Sequence, residues 1–211
     1  MSKETNMPTY PDKLCIIAPQ FRIVTEPFPA ESHGTRAVFL EAWAVLIVHR
    51  QIDGSLTFRQ VVEIDHFGDR SVELMRRLGY LLDGETSLGG LDLGSMLASF
   101  VRVPRGSAYE ADGKEPLERL KLALFSDPVD CMWLDNELGL PTLRTVATTA
   151  DLPAEWDEPC CRGNPARLQR QLAARARAMW LAIAEDRIPA GQQRWQAIAD
   201  FAAWHQRHPL D

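Results

Sequence analysis

The chain has 211 residues, 45% of them hydrophobic and 25% charged, with a formal net charge of −6. That apolar content excludes a disordered chain, and that length lets one large domain, or a domain with an appendage, bury a core without disulfide or metal staples. The acidic balance argues against gripping duplex nucleic acid by bulk charge.

Residues 1–11 are polar, carry Pro8 and Pro11, and lack the basic start and apolar middle of a signal peptide, so a cytoplasmic protein is expected. Residues 14–24 read as a strand with β-branched Ile16, Ile17, Ile23 and Val24, interrupted by Pro19. A proline- and glycine-bearing loop fills 27–34. Residues 36–50 read as a strand apolar on both faces, which a sheet covered on both sides would require. Its longest apolar run, 42–48, is strand-sized and far short of the roughly 20 residues that cross a bilayer, so no membrane partner is expected. Asp53-Gly54 can take the positive φ of a hairpin turn, and 56–64 returns as the second strand.

A helix follows, with Leu74, Leu78, Leu81 and Leu82 at helical spacing. The glycine-rich stretch 83–94 has neither the lysine of a phosphate loop nor dinucleotide-loop spacing, and reads as a turn. Residues 96–103 are short and apolar, 117–125 have helical spacing, 129–134 form a possible buried strand, and a short helix opens at Leu140-Pro141-Thr142. Pro165 suits a first helical position and starts an alanine- and arginine-rich helix that must end before Pro189. Residues 192–207 form a final amphipathic helix, with Trp195, Ile198, Ala199 and Ala202 on one face. Strand, hairpin, alternating helices and strands, then helices: that order gives an α/β fold with a mixed sheet.

Chemistry-bearing residues are sparse. Cys15 and Cys131 sit in apolar runs and suit reduced buried thiols; Cys160 and Cys161 are adjacent, no C-x-x-C occurs, and His205 and His208 do not complete a usual zinc spacing. Glu63 and Asp65, or Asp135 and Glu137, have the spacing of cation ligands but also of solvated strand ends and turns. Arg167, Arg170, Arg175 and Arg177 fall in a stretch without an acid, 162–177, which reads as a basic helix strip or a solvated face.

Several segments, in order, resemble the DEDD 3'-5' exonucleases, whose fold is ribonuclease H-like. Phe21-Arg-Ile-Val-Thr-Glu-Pro27 resembles the first strand with its D-x-E motif, and Ala37-Val-Phe-Leu-Glu-Ala-Trp-Ala-Val-Leu-Ile-Val48 the following hairpin. Leu88-Gly-Gly-Leu-Asp-Leu-Gly-Ser95 resembles the second motif, and Pro128-Val-Asp130 the strand before the helical subregion. Leu143-Arg-Thr-Val-Ala-Thr-Thr-Ala-Asp-Leu-Pro153 and Leu168-Gln-Arg-Gln-Leu-Ala-Ala-Arg-Ala-Arg-Ala-Met-Trp180 resemble its last two helices. The resemblance implies a ribonuclease H-like mixed sheet with an antiparallel hairpin and helices on both faces. It spans 21–187, after an N-terminal extension (1–20) and before an appended C-terminal helix (190–211).

It also implies four carboxylates holding two Mg²⁺ or Mn²⁺ ions roughly 4 Å apart for phosphodiester hydrolysis, with a general base beside them. The chain departs from that pattern. Val24-Thr25-Glu26 replaces D-x-E, and the second motif offers Asp92 or Ser95. Gln169 stands at the base position and Arg175 at the last aspartate. Glu26 and Asp92 are the remnant catalytic positions. No cofactor is expected unless Mg or Mn binds an active site. A second register matches D-x-E-T letter for letter at Asp83-Gly-Glu85-Thr86, with Asp130 or Asp135 to follow, but the helical pattern before it and the unused hairpin count against it.

The expectation is an exonuclease-like protein of nucleic-acid metabolism with an impaired metal site, which binds single-stranded nucleic acid through the four arginines. The alternative is a non-enzymatic acidic interaction or inhibitor protein, with the C-terminal helix as a protein-partner or homodimer surface.

Overall fold

In a computed structural model the described residues are 10–24, 37–65, 71–82, 86–91, 93–101, 118–120, 129–130 and 164–210. They form strands β1 (Lys13–Val24), β2 (Ala37–Arg50), β3 (Leu56–Ile64), β4 (Ser87–Gly90) and β5 (Val129–Asp130). Helices α1 (Ser71–Leu81), α2 (Leu93–Val101), α3 (Pro165–Arg187) and α4 (Gln192–Arg207) accompany them, and residues 118–120 are helical.

The five strands make one mixed sheet in the order β3-β2-β1-β4-β5. β2 is antiparallel to both β1 and β3, while β4 is parallel to β1 and β5 to β4. Only β2 therefore runs against the others. The hairpin closes over Asp53 and Gly54, where Gly54 has a φ of 83° and the Asp53 carboxylate accepts from the Ser55 N–H at 2.9 Å.

The doubly apolar pattern of β2 is explained by a core on each face of the sheet. On one, Leu46 and Val48 of β2 and Leu14 and Ile16 of β1 pack with Leu172, Trp180 and Ile183 of α3. On the other, Trp43, Val45, Cys15 and Ile17 pack with Leu74, Met75 and Leu78 of α1 and with Phe100 of α2. Trp43 buries its indole there and donates its Nε1–H to the Leu74 carbonyl at 2.9 Å.

α3 starts as the sequence reads, with Pro165 in the first turn and the Asn164 side chain accepting from the Arg167 N–H at 3.0 Å. Its buried alanines (Ala173, Ala174, Ala176, Ala178, Ala182, Ala184) let the helix axis approach closely, and it lies across β1, β2, β3 and β4.

Three features differ from the sequence reading. β1 begins at Lys13 and occupies the middle of the sheet, so residues 13–20 of the expected N-terminal extension belong to the sheet. Residues 87–90, read as a turn, are a buried strand whose glycines accommodate close neighbours: a Cβ on Gly89 would stand 3.2 Å from both Ile16 Cγ1 and Ile183 Cδ1. The inward face of α4 is Ala197, Phe201 and Trp204 rather than the Trp195 face. Phe201 stacks on Trp180 at 4.6 Å between ring centroids, so α4 shares the α3 core.

Candidate functional site

The parallel strands β1, β4 and β5 end on the same side of the sheet. In open α/β sheets the crevice outside such carboxyl ends is where ligands bind. Gly90 pairs with Ile17 on one side and with Asp130 on the other, which sets the level of this edge. Just past it on β1 come Ala18, Pro19 and Gln20.

Pro19 is tolerated in a central strand for a geometric reason. Arg50 donates its N–H to Asp12 at 2.8 Å, so even-numbered residues of β2 face β1. By register, even-numbered β1 residues up to Gln20 face β2 and odd-numbered ones face β4. Pro19, which has no N–H to donate, looks toward β4 two residues beyond Ile17, where the β1–β4 ladder has stopped.

The candidate acids distribute as follows. Asp130 is on β5 at this edge. Glu26, Asp83, Glu85 and Asp92 lie outside the described residues, as do Asp135, Glu137, Cys131, Cys160, Cys161 and the 143–153 helix. The described chain brackets them. Val24, the last residue of β1, is seven positions beyond Ile17, a strand length of about 23 Å. α1 ends at Leu81 and β4 starts at Ser87, so 83–85 falls between a helix and a strand. β1 itself has no Asp or Glu from Lys13 to Val24. Among the described residues no three His, Cys, Asp or Glu side chains gather as a metal-ligand group.

Glu63 is engaged elsewhere: its carboxylate pairs with Arg77 at 2.8 Å. Arg77 also bonds Glu73 at 2.9 Å, and Arg76 bonds Glu73 twice at 2.7 Å. These donors hold the Glu73 carboxyl down at about 2.

The four arginines of α3 do not share one solvent face. Arg170 is exposed, Arg167 and Arg175 are partly buried, and Arg177 is 4% exposed. Arg177 donates Nε–H to Gln60 Oε1 at 2.8 Å and Nη1–H to His205 Nδ1, with its guanidinium 4.7 Å from the centre of the Trp204 ring. Gln60 in turn donates to the Ala173 carbonyl at 2.9 Å. This polar group ties β3, α3 and α4 together. Arg177 is therefore withdrawn from any basic strip, and its donors are taken by its own fold. A cleft of about 400 Å³ beside it is lined by Phe58, Gln60, Arg170 and Trp204 among others, with no carboxylate among the described residues of its wall.

A larger cleft of about 590 Å³ lies between the β2–β3 turn and the α3–α4 turn, bordered by Arg50, Asp53, Arg187 and Gln192. At its base the Tyr10 hydroxyl accepts from Trp180 Nε1–H at 3.0 Å, and burial pushes the phenol pKa well above its usual range. The cleft leaves no mark in the sequence, because its walls are two turns far apart in the chain, one at residues 53–55 and one at residues 188–191. Of the tryptophans on α4, Trp204 is buried at 6% exposure, whereas Trp195 is 72% exposed. No helix among the described residues is long and apolar enough to cross a membrane.

No family model matches this chain, and neither does any curated protein or solved structure.

Proposed function

We propose that this is a ribonuclease H-like domain of the DEDD exonuclease type whose two-metal site has been dismantled, acting as a nucleic-acid-binding or accessory component. The fold part of this reading is supported by the order β3-β2-β1-β4-β5 with β2 alone reversed. It places an antiparallel hairpin on one side of β1 and parallel strands reached through α1 and α2 on the other, with helices on both faces, as a ribonuclease H-like sheet is expected to do.

The observation that carries the functional part is the composition of β1. The family's first strand brings the D-x-E pair to the cation site, and β1 here has no carboxylate. At the level where β4 ends it offers aliphatic Ile17 and Ala18, then Pro19 and the neutral carboxamide of Gln20. Mg²⁺ and Mn²⁺ require several anionic oxygens to displace their water. At this edge β5 carries Asp130 as its one acidic residue, and Arg175 would bring a cation where the last acid belongs. This donor set does not fit two metal ions, and no hydrolytic step is derived through them. Arg170, exposed on α3, remains available to a phosphate backbone.

The test is incubation of the full chain with end-labelled single-stranded DNA and RNA in Mn²⁺, alongside a mobility-shift titration across salt. The expected outcome is no digestion above the metal-free control, with binding that weakens as salt rises and when Arg170 is replaced by Ala. Digestion abolished by Asp83→Ala, or by Asp130→Ala, would overturn the dismantled-site reading.

A second reading has its own observation. The large exposed indole of Trp195 on α4 suits an anchor in a protein interface, which favours a non-enzymatic interaction protein. Loss of a protein complex on Trp195→Ala, with no nucleic-acid binding at any salt, is the outcome that reading requires.

A further inference from the structure

Among the described residues β3 is an edge strand, and the hydrogen-bond parity of the hairpin shows which of its groups point outward. Asp65 donates its N–H to the Glu41 carbonyl at 2.7 Å, and Arg50 donates to Asp12 on the other side. Odd-numbered residues of β2 thus bond toward β3 and even-numbered ones toward β1. Carried through the register Trp43↔Glu63, Val45↔Val61 and Ile47↔Arg59, this directs the N–H and C=O groups of Phe58, Gln60, Val62 and Ile64 away from the sheet. Leu56 has the same parity, and its N–H does point outward, to the Asp200 carboxylate at 2.9 Å.

Natural sheets blunt such an edge with proline, a bulge, a short strand, charged side chains or a covering helix, and here α4 caps only the Leu56 N–H among the outward groups. β3 has nine residues, contains no proline, and pairs with β2 without a register shift. Val61, Val62 and Ile64 stay only partly buried.

We infer that β3 is the seam of a symmetric homodimer: a second copy adds its own β3 antiparallel to this one, about a two-fold axis through Val61, and the two sheets become one. The outward parity allows even-numbered residues to pair only with even-numbered ones. With Val61 on the axis, Gln60 stands opposite Val62 of the second copy and Phe58 opposite Ile64, which gives about eight new main-chain hydrogen bonds. The same register sets Arg59 opposite Glu63 of the second copy, and symmetry repeats the pair on the other side of the axis.

Charge and strand overlap together favour this arrangement. Arg59 is exposed and pairs with no carboxylate among the described residues. Glu63 pairs with Arg77 through Oε2 and keeps 30% of its side chain accessible, so a second arginine can share its carboxylate. With Gln60 on the axis Arg59 would stand against Val61, and with Val62 on the axis it would meet Asp65 but only residues 60–64 of the strand would overlap, so fewer main-chain bonds would form. A copy of the same chain is thus the occupant whose charges match this edge without any further assumption. The inference stands apart from the nuclease reading, since it uses the opposite end of the sheet from β4 and β5.

The test uses the full chain in light scattering coupled to size exclusion, from low micromolar to several hundred micromolar, with amide hydrogen exchange at both ends of that range. Wild type should pass from monomer to dimer, and the amides of Phe58, Gln60, Val62 and Ile64 should slow as it does. Glu63→Arg turns both cross-strand pairs repulsive and should weaken the dimer by about tenfold or more. The double change Arg59→Glu with Glu63→Arg restores opposite charges and should bring the dimer back. Val62→Pro removes one outward N–H and no bond to β2, so it should give a folded monomer. A wild-type chain that stays monomeric overturns the inference. So does a dimer indifferent to Glu63→Arg, or one abolished by Trp195→Ala but not by Val62→Pro. If a charge variant fails to fold, the exchange measurement on wild type still decides: outward amides equally fast at both concentrations would refute the seam.

Discussion

Replacing Arg177 by alanine separates a basic strip on α3 from a buried polar tie. At 4% exposure the guanidinium bonds Gln60 and His205 and covers the Trp204 ring. Hydrogen bonds from a charged donor contribute about 1.5–3 kcal/mol each, and a desolvated cation–π contact up to about 2 kcal/mol. Part of that is offset because the variant no longer keeps a guanidinium out of water. The net expectation is a loss of about 3 kcal/mol. For a chain of this length each kcal/mol lowers Tm by about 2–4 °C, so Arg177→Ala should melt roughly 6–12 °C below wild type. Arg170→Ala, changed on the exposed face, should stay within about 0.5 kcal/mol. Urea titration followed by tryptophan fluorescence measures both, because Trp180 and Trp204 lie in or beside the cluster. Arg177→Met keeps the volume of the stem and should recover part of the loss. If Arg177→Ala costs under about 1 kcal/mol, or no more than Arg170→Ala, the tie between β3, α3 and α4 is not what holds that guanidinium. Arg177 would then rejoin Arg170 as a nucleic-acid contact.

Two further outcomes follow from the described geometry. The Glu73 carboxyl is held down to about 2 by bonds from Arg76 and Arg77, below its ordinary 4.5. A depressed acid stabilises the fold above its unfolded value and loses that stabilisation as pH falls through the folded one. Its side chain is 34% accessible, so solvent screening limits the contribution to about 1 kcal/mol or less. The stability gap between wild type and Glu73→Gln should therefore be full near neutral pH and close between about pH 4.5 and 2 in denaturant titrations; a constant gap would reject this assignment. Gly89→Ala forces a methyl to within 3.2–3.3 Å of Ile16, Ile183 and Leu14. The expected cost is about 1–3 kcal/mol by calorimetry, and an unchanged or raised Tm would mean that this junction of α3 with β1 and β4 has slack.

The hairpin was legible because two independent signals agreed there: apolar runs of strand length on both sides, and Asp53-Gly54 at the position of the turn. α3 and α4 were legible from proline, alanine content and spacing. β4 was not, since Leu88 is its one large side chain, and Ser87, Gly89 and Gly90 carry no periodicity. Only the partners, Ile16 and Ile183 pressed against Gly89, explain why glycine stands in a strand. The inward face of α4 was also hidden. Trp195, Ile198, Ala199 and Ala202 give a helical stripe as good as Ala197, Phe201 and Trp204, and the choice is made by Phe58 and Trp180 on other elements. The basic strip failed at Arg177 for a related reason. Sequence shows a cation on a helix, but not the glutamine of β3 and the histidine of α4 that receive its protons. The carboxyl-end crevice was read only as a set of motif letters, and the absence of any acid from β1 gained meaning once that strand was placed between β2 and β4.

The bond between Trp180 and Tyr10 joins residues 170 positions apart. Translation makes the hairpin and β1 early, yet the cover for one whole side of them arrives with α3. Until the ribosome has synthesised and released that helix, Leu14, Ile16, Leu46 and Val48 face water, or whatever chaperone meets them first. A nascent chain arrested before Pro165 would carry a half-clothed sheet, and its fate would be decided by holdases rather than by its own folding.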